Sequence, residues 1–178
     1  MTTADISSPR IDIPPPGRYR ISPAGSTVTI RTRHFFGLGA VRATLDLRDG
    51  RILVAGPAAS SAQARFSVSS FQSGSGARDA AVLSPRLLDA AAYPTLSFTS
   101  TQLTEEQGQW ALRGELEVRG VTRLVEARIT ALETDADMIR ASAQAAIDRF
   151  DFGITTYRGL AARRLTIGLE IIAHREQS

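Results

Sequence analysis

Two charged pairs carry the residue types best suited to recognising a ligand, Arg78 with Asp79 and Arg149 with Asp151. A guanidinium presents a planar fork that fits a phosphate, a carboxylate or a quinone oxygen. The same pairs can instead serve as ion-pair clusters that pin a helix to a sheet, and that structural reading takes precedence. Arg149 and Asp151 are two residues apart, so in a strand they would share one face and leave Phe150 and Phe152 on the other. Gly153 then permits a bend. Arg158, Arg163 and Arg164 gather near the same place. They read as a solvated face, or as a basic cluster for a head group or an anionic membrane surface. The two histidines, His34 and His174, lie far apart in a chain with no cysteine, so no metal-ligand spacing exists and no metal is expected. His34 suits a strand end or a rim. No G-x-S-x-G stretch occurs and the serines fall mostly in turns, so no nucleophile is indicated.

Positioning these groups requires mostly strands. Alternation of apolar and polar residues marks strands at 26–36, 41–47, 62–71, 95–103, 109–118, 121–132, 138–148 and 163–173. A short first strand at 18–21 and an apolar one at 52–55 are also marked. Asp49-Gly50 reads as a hairpin turn between Leu47 and Ile52. Residues 138–148 are alanine-rich, yet Ile139, Ala141, Ala143, Ala145 and Ile147 keep period two. The only helical segment is 77–98. Ser75 suits its N-cap, residues 78–83 form a first turn, and Ser84-Pro85 breaks it and starts a second, giving a broken helix over 77–92. Leu83, Leu87, Leu88 and Ala91 place an apolar face on it, and Tyr93-Pro94 forces extended backbone before the next strand.

About eight long sequential strands exceed the usual ~5–6 residues and close most readily into an antiparallel up-and-down barrel. The fold class is therefore mainly β, a barrel with a short broken helix at one end. Residues 1–17, ending in three prolines and a glycine, read as a flexible or clamped tail; 18–175 form the barrel domain. Eight strands enclose room for side chains or one small ligand. Alternation points Val28, Ile30, Phe66, Val68, Phe98, Trp110, Leu112, Leu116, Val125, Ile129 and Ile147 inward, with Leu83, Leu87 and Phe152 covering the end. Alanines at 64, 127, 141, 143 and 145 suggest that inward volume is left open.

Composition supports an ordinary globular domain, with 43% hydrophobic and 22% charged residues. No apolar run reaches the ~18 residues of a spanning helix. The first residues lack a basic start and apolar core, so no secretory signal is read and a cytoplasmic location is expected. All 21 basic residues are arginine, which reads first as codon bias. A net charge of +3 is too small to argue a nucleic-acid partner, and none is expected.

Several runs resemble one known family. Arg78-Asp79, Leu88-Asp89 and the stretch from Tyr93-Pro94-Thr95 to Phe98 resemble the RD…FD…YPT-x-x-F signature of the YceI-like polyisoprenoid-binding family. Residues 114–123 are similar to its G-x-L-x-x-x-G-V-T hairpin, residues 147–153 to its R-x-DFG element, and Ser26-Thr27-Val28 with Arg33-His34 to its opening strand. Order and spacing agree from about Gly17 to Ala173. The chain departs from the family at Ala81, where His is frequent, at Leu87 and Leu88, where Phe is frequent, and at Ala43 and Leu45, where a Gly and an aromatic are usual. Its loop 155–162 is short. The resemblance implies a lipocalin-like barrel enclosing a long isoprenoid, polyprenyl phosphate, quinone or related lipid, with its head group beside helix 77–92.

The expected function is a carrier or sequestering protein for such a lipid, not an enzyme, with no cofactor beyond a bound isoprenoid or quinone as ligand. Two alternatives stand beside it: a barrel enzyme acting on a lipid-like substrate, which needs a buried acid, carboxylate or imidazole, and a stress-related interaction module with a filled core. A homodimer and a transient membrane-surface contact are compatible with all three.

Overall fold

The chain alternates inward apolar and outward polar residues over nine strand segments, and this pattern closes the sheet on itself. The structure, a computed structural model, describes residues 11–34, 39–56 and 58–177. Most of the expected tail, the end of the strand read at 26–36 and the side chains of Arg33 and His34, with the rim role expected of His34, lie outside the described residues. The elements are β1 (Gly17–Ile21), β2 (Thr27–His34), β3 (Gly39–Val54), β4 (Ser61–Gln72), α1 (Gly76–Leu83), β5 (Thr95–Glu106), β6 (Gln109–Val118), β7 (Val121–Thr134), β8 (Met138–Asp148), a 3-10 turn (Arg149–Phe152) and β9 (Arg164–Arg175).

Every strand pairing is antiparallel, and the order β1-β3-β2-β9-β8-β7-β6-β5-β4 closes through β3 with β4. The ring has eight positions, because β1 and β2 are two halves of one interrupted strand. Both lie between β3 and β9, β1 opposite 173–175 of β9 and β2 opposite 166–170. At the interruption the Ile172 N–H donates to Ser26 Oγ at 3.1 Å, so a side chain stands in for the missing ladder partner.

The Asp49-Gly50 hairpin is not formed. β3 runs through it as one 16-residue strand, with a register shift between Leu47 and Asp49. The glycine serves close approach instead: a Cβ there would fall 2.7 Å from Ile21 Cδ1 and 2.8 Å from the Gln63 carbonyl. Further shifts fall at Ser100/Gln102 in β5 and Ile129/Ala131 in β7. Each extra residue reverses which parity faces inward, so Phe98 and Leu103, or Ile129 and Leu132, face the same interior.

The helix is shorter than the sequence implies. Ser75 caps α1 by accepting from the Arg78 N–H, and α1 ends at Leu83. Pro85 lacks the N–H needed to continue, and Asp89 adopts φ of 51°. Residues 85–92 are turns rather than a second helical segment, tied back by Asp89 N–H to the Ser84 carbonyl and Ala90 N–H to the Leu83 carbonyl.

Candidate functional site

An apolar cavity of about 690 Å³ runs through the barrel. One end lies beneath α1, the 85–92 turns and loop 153–163. The other lies beside Ile11, Ile13 and Pro14, which pass across the end of the barrel. This segment is fixed by the Asp12 N–H donating to the Leu132 carbonyl (3.0 Å) and Tyr19 Oη donating to the Pro15 carbonyl (2.8 Å). Tyr19, wholly buried, also accepts from Arg175 Nη2 at 3.1 Å.

Most residues read as inward line this cavity: Val28, Ile30, Phe66, Phe98, Trp110, Leu112, Leu116, Val125, Ile129 and Ile147 from the strands, with Leu87 and Phe152 from the cover. The alanines at 64, 127, 141, 143 and 145 line it as well. Two residues fall elsewhere. Val68 is fully buried but off the cavity surface, where its N–H donates to the Pro94 carbonyl. Leu83 packs against the Val28, Ala43, Leu45 and Phe71 cluster that seats α1 on the barrel wall. Leu87 and Leu88 pack on the neighbouring cluster of Val118, Ile147, Phe152 and Ile154.

The charged pairs are not built as the sequence suggests. Arg78 and Asp79 do not pair with each other; both bind Ser73. Asp79 Oδ1 accepts from the Ser73 N–H (2.9 Å) and hydroxyl (2.5 Å), while Arg78 Nη1 reaches the same hydroxyl at 3.3 Å. Asp79 thus clamps the loop before α1 and stays off the cavity. Arg78 lines it, with only long contacts to its guanidinium.

Arg149 and Asp151 separate because the chain turns there into a 3-10 helix, whose three-residue repeat does not put them on one face. Asp151 is exposed. Arg149 is 7% exposed and donates to the carbonyls of Ile154 (2.8 Å), Thr156 (2.7 Å), Ala161 (3.2 Å) and Ala162 (2.9 Å). Burial pushes its guanidinium below the usual arginine range; Asp148 opposes this and Arg158 adds to it. Arg149 therefore shapes loop 153–163 from within. Outside it, Phe150 carries Arg149, Arg158 and Arg163 against its ring at 4.8–5.1 Å, and Arg163 pairs with Asp148 at 2.7 Å.

Among the described residues no carboxylate or imidazole lines the cavity; its ionised groups are Arg78 and Arg149. His174 is exposed on β9. No group of three potential metal ligands occurs among the described residues, and no described helix is long and apolar enough to cross a membrane. Sequence reasoning missed Ile154, Tyr157, Ile11 and Ile13 as cavity residues, since irregular segments carry no periodic signal. Leu165, Ile167, Leu169 and Ile171 of β9 line it too, and their alternation was legible.

Two glycines of the resembling hairpin have geometric reasons. A Cβ on Gly114 would lie 2.5 Å from Phe98 Cζ and 2.5 Å from the Thr99 carbonyl, so the phenyl ring crosses this strand. Gly120 (φ 71°) closes the β6–β7 turn with Arg119 (φ 53°), and Tyr93 packs over it. Arg119 Nη1 donates to the Leu87 carbonyl at 2.9 Å, tying this turn to the cover.

The barrel is similar to several solved structures. BcnA from Burkholderia cenocepacia superposes with a TM-score of 0.77 at 18% identity, covering 85% of this chain and 98% of that chain. A polyisoprenoid binding domain from Saccharophagus degradans gives 0.69 at 14% identity, covering 89% and 98%. A YceI protein from Campylobacter jejuni gives 0.57 at 18% identity, covering 75% and 85%. No curated protein matches the sequence. The family model of the YceI-like domain matches residues 19–173. Because that match runs from β1 into β9 and takes in the cover and all of the cavity lining but Ile11, Ile13 and Pro14, the chain belongs to the YceI-like family.

Proposed function

We propose that this protein binds a long apolar lipid, of the isoprenoid, polyprenyl phosphate or quinone class, and carries or sequesters it in the barrel. The observation that supports this most is the 690 Å³ cavity walled almost wholly by hydrocarbon, within the ~300–1,000 Å³ of small-molecule sites. The polyisoprenoid binding domain of Saccharophagus degradans shares the fold, which supports the same ligand class.

The mechanism is desolvation. β8 has 11 residues; at ~3.3 Å per residue and a tilt of ~35–45°, the barrel is roughly 26–30 Å tall. A chain threaded along it leaves water on every side. At ~0.3 kcal/mol per non-hydrogen atom, a tail of about 30 atoms retains roughly −9 kcal/mol, a submicromolar affinity. Arg78, at the covered end and with donors to spare, is suited to a phosphate or quinone oxygen. An enzyme of the kind weighed above would draw on a carboxylate or imidazole, and the described lining offers neither.

Organic extraction of freshly purified protein, followed by mass spectrometry of the extract, tests this. A long-chain lipid recovered in near one-to-one ratio is the expected result. No lipid, combined with no uptake of a fluorescent isoprenoid by the extracted protein, overturns it.

A further inference from the structure

The outer surface of the barrel is unequally charged and unequally apolar from end to end. Loop 153–163 turns at Tyr157-Arg158-Gly159-Leu160, with φ of 59° at Tyr157 and 80° at Gly159. The turn is closed by the Leu160 and Ala161 N–H groups on the Tyr157 carbonyl and braced by the four Arg149 hydrogen bonds. Leu160 is 57% exposed on this braced tip, beside Tyr157 at 37%. Leu124 and Tyr93 are exposed near the same end of the barrel, while Ile13 and Leu53 are the large apolar residues exposed at the other.

Arginines surround these apolar groups. Arg31, Arg42, Arg86, Arg123, Arg158 and Arg164 are exposed, and none has an acidic partner within ion-pair distance among the described residues. Arg31 and Arg42 sit directly opposite each other on β2 and β3, an arrangement of like charges that costs stability unless an anion meets it. The exposed acids on this side are Asp46, Glu115, Glu117 and Asp151. The other end of the barrel carries exposed Glu105, Glu106, Glu133, Asp135 and Asp137 on its hairpins, beside the exposed Arg18, Arg20, Arg51 and Arg140, so acids outnumber bases there. An anionic plane would therefore orient the molecule with the tip and the covered cavity end towards it.

We propose that this end docks on an anionic phospholipid bilayer, the Tyr157–Leu160 tip entering the interface and the arginines meeting lipid phosphates. The proposal deepens the carrier reading and rests on it, since a water-insoluble ligand must leave and rejoin a bilayer. Tyr157, Ala161 and Ala162 line the cavity, so the tip that touches the membrane also borders the ligand. Basic residues with leucine and aromatic side chains are the composition that holds interfacial segments.

The test is co-sedimentation with phosphatidylcholine vesicles, with and without about one third phosphatidylserine. The wild-type chain should bind the anionic vesicles at least about tenfold more tightly, and lose that advantage in high salt. Arg158→Ser combined with Leu160→Ser should weaken this binding about tenfold. Neither residue lines the cavity, so uptake of a fluorescent isoprenoid delivered from cyclodextrin should not change. Should the tip variant misfold, Arg31→Ser with Arg42→Ser removes two mutually repelling charges from a regular ladder and should show a several-fold loss.

Equal binding to both vesicle types, binding to neither, or wild-type binding by these variants overturns the proposal. So does retention on duplex DNA without retention on anionic vesicles. Probe uptake without vesicle binding removes docking alone; vesicle binding without probe uptake supports docking and removes the carrier reading.

Discussion

Arg149 shows how one buried charge organises an irregular segment. Its guanidinium meets four carbonyls of loop 153–163, and hydrogen bonds to a charged donor contribute about 1.5–3 kcal/mol each before non-additivity. Arg149→Met should destabilise the protein by about 3–5 kcal/mol in urea unfolding. Arg149→Lys should rescue little, because a point charge cannot span the fork. Arg78 makes the contrasting case. With only long contacts to Ser73, Arg78→Ala should change stability by less than about 0.5 kcal/mol. It should weaken binding of a polyprenyl phosphate about tenfold while leaving the neutral hydrocarbon analogue unaffected, as read by probe displacement. Gly114→Ala forces a methyl group against the Phe98 ring and should cost about 1–3 kcal/mol, visible as a lower melting temperature. The sequence marked Arg78, Asp79, Arg149 and Asp151 as important but not their partners. Arg149 works through backbone carbonyls of a loop, and no spacing rule announces such a partner.

At the level of elements, alternation was a faithful guide wherever a strand stayed regular. β8 has the bounds that period two gives it, despite alanines that favour helix. Legibility failed at the bulges. Asp49-Gly50 carries the residues of a hairpin turn, but the glycine is needed where Ile21 and the Gln63 backbone press close, so the strand continues. The helix of the cover was legible to Ser84 and no further, because the turns after Pro85 are fixed by side-chain and carbonyl contacts rather than by period, although Leu87 and Leu88 face the cavity as their apolar spacing implied. Val68 and Leu83 share the apolar character of their neighbours, yet one sits behind the wall and the other seats the helix. The small side chains on β8 keep the cavity wide. Ala143→Phe should abolish or strongly weaken lipid uptake in a fluorescence titration. The same change should leave the extracted protein as stable as wild type or more so, since it fills space rather than removing contacts. Loss of uptake with loss of fold would instead place Ala143 in tight packing.

For the whole molecule, the volume itself constrains the account. A cavity of about 690 Å³ leaves its apolar wall without contacts on one side, a cost that grows with the volume left empty. A hydrocarbon chain along the axis recovers those contacts, so ligand and fold stabilise each other. Lipid at about a hundredfold over its dissociation constant adds ~2.7 kcal/mol. The extracted protein should accordingly melt about 5–10 °C lower than the loaded one, and calorimetry before and after reloading measures this. Native mass spectrometry of freshly purified protein bears most directly on the barrel as a lipid site. The account predicts the mass of the chain plus one discrete lipid, shed on collisional activation and restored by incubation with an isoprenoid. A spectrum of the bare chain alone, unchanged after that incubation, contradicts it.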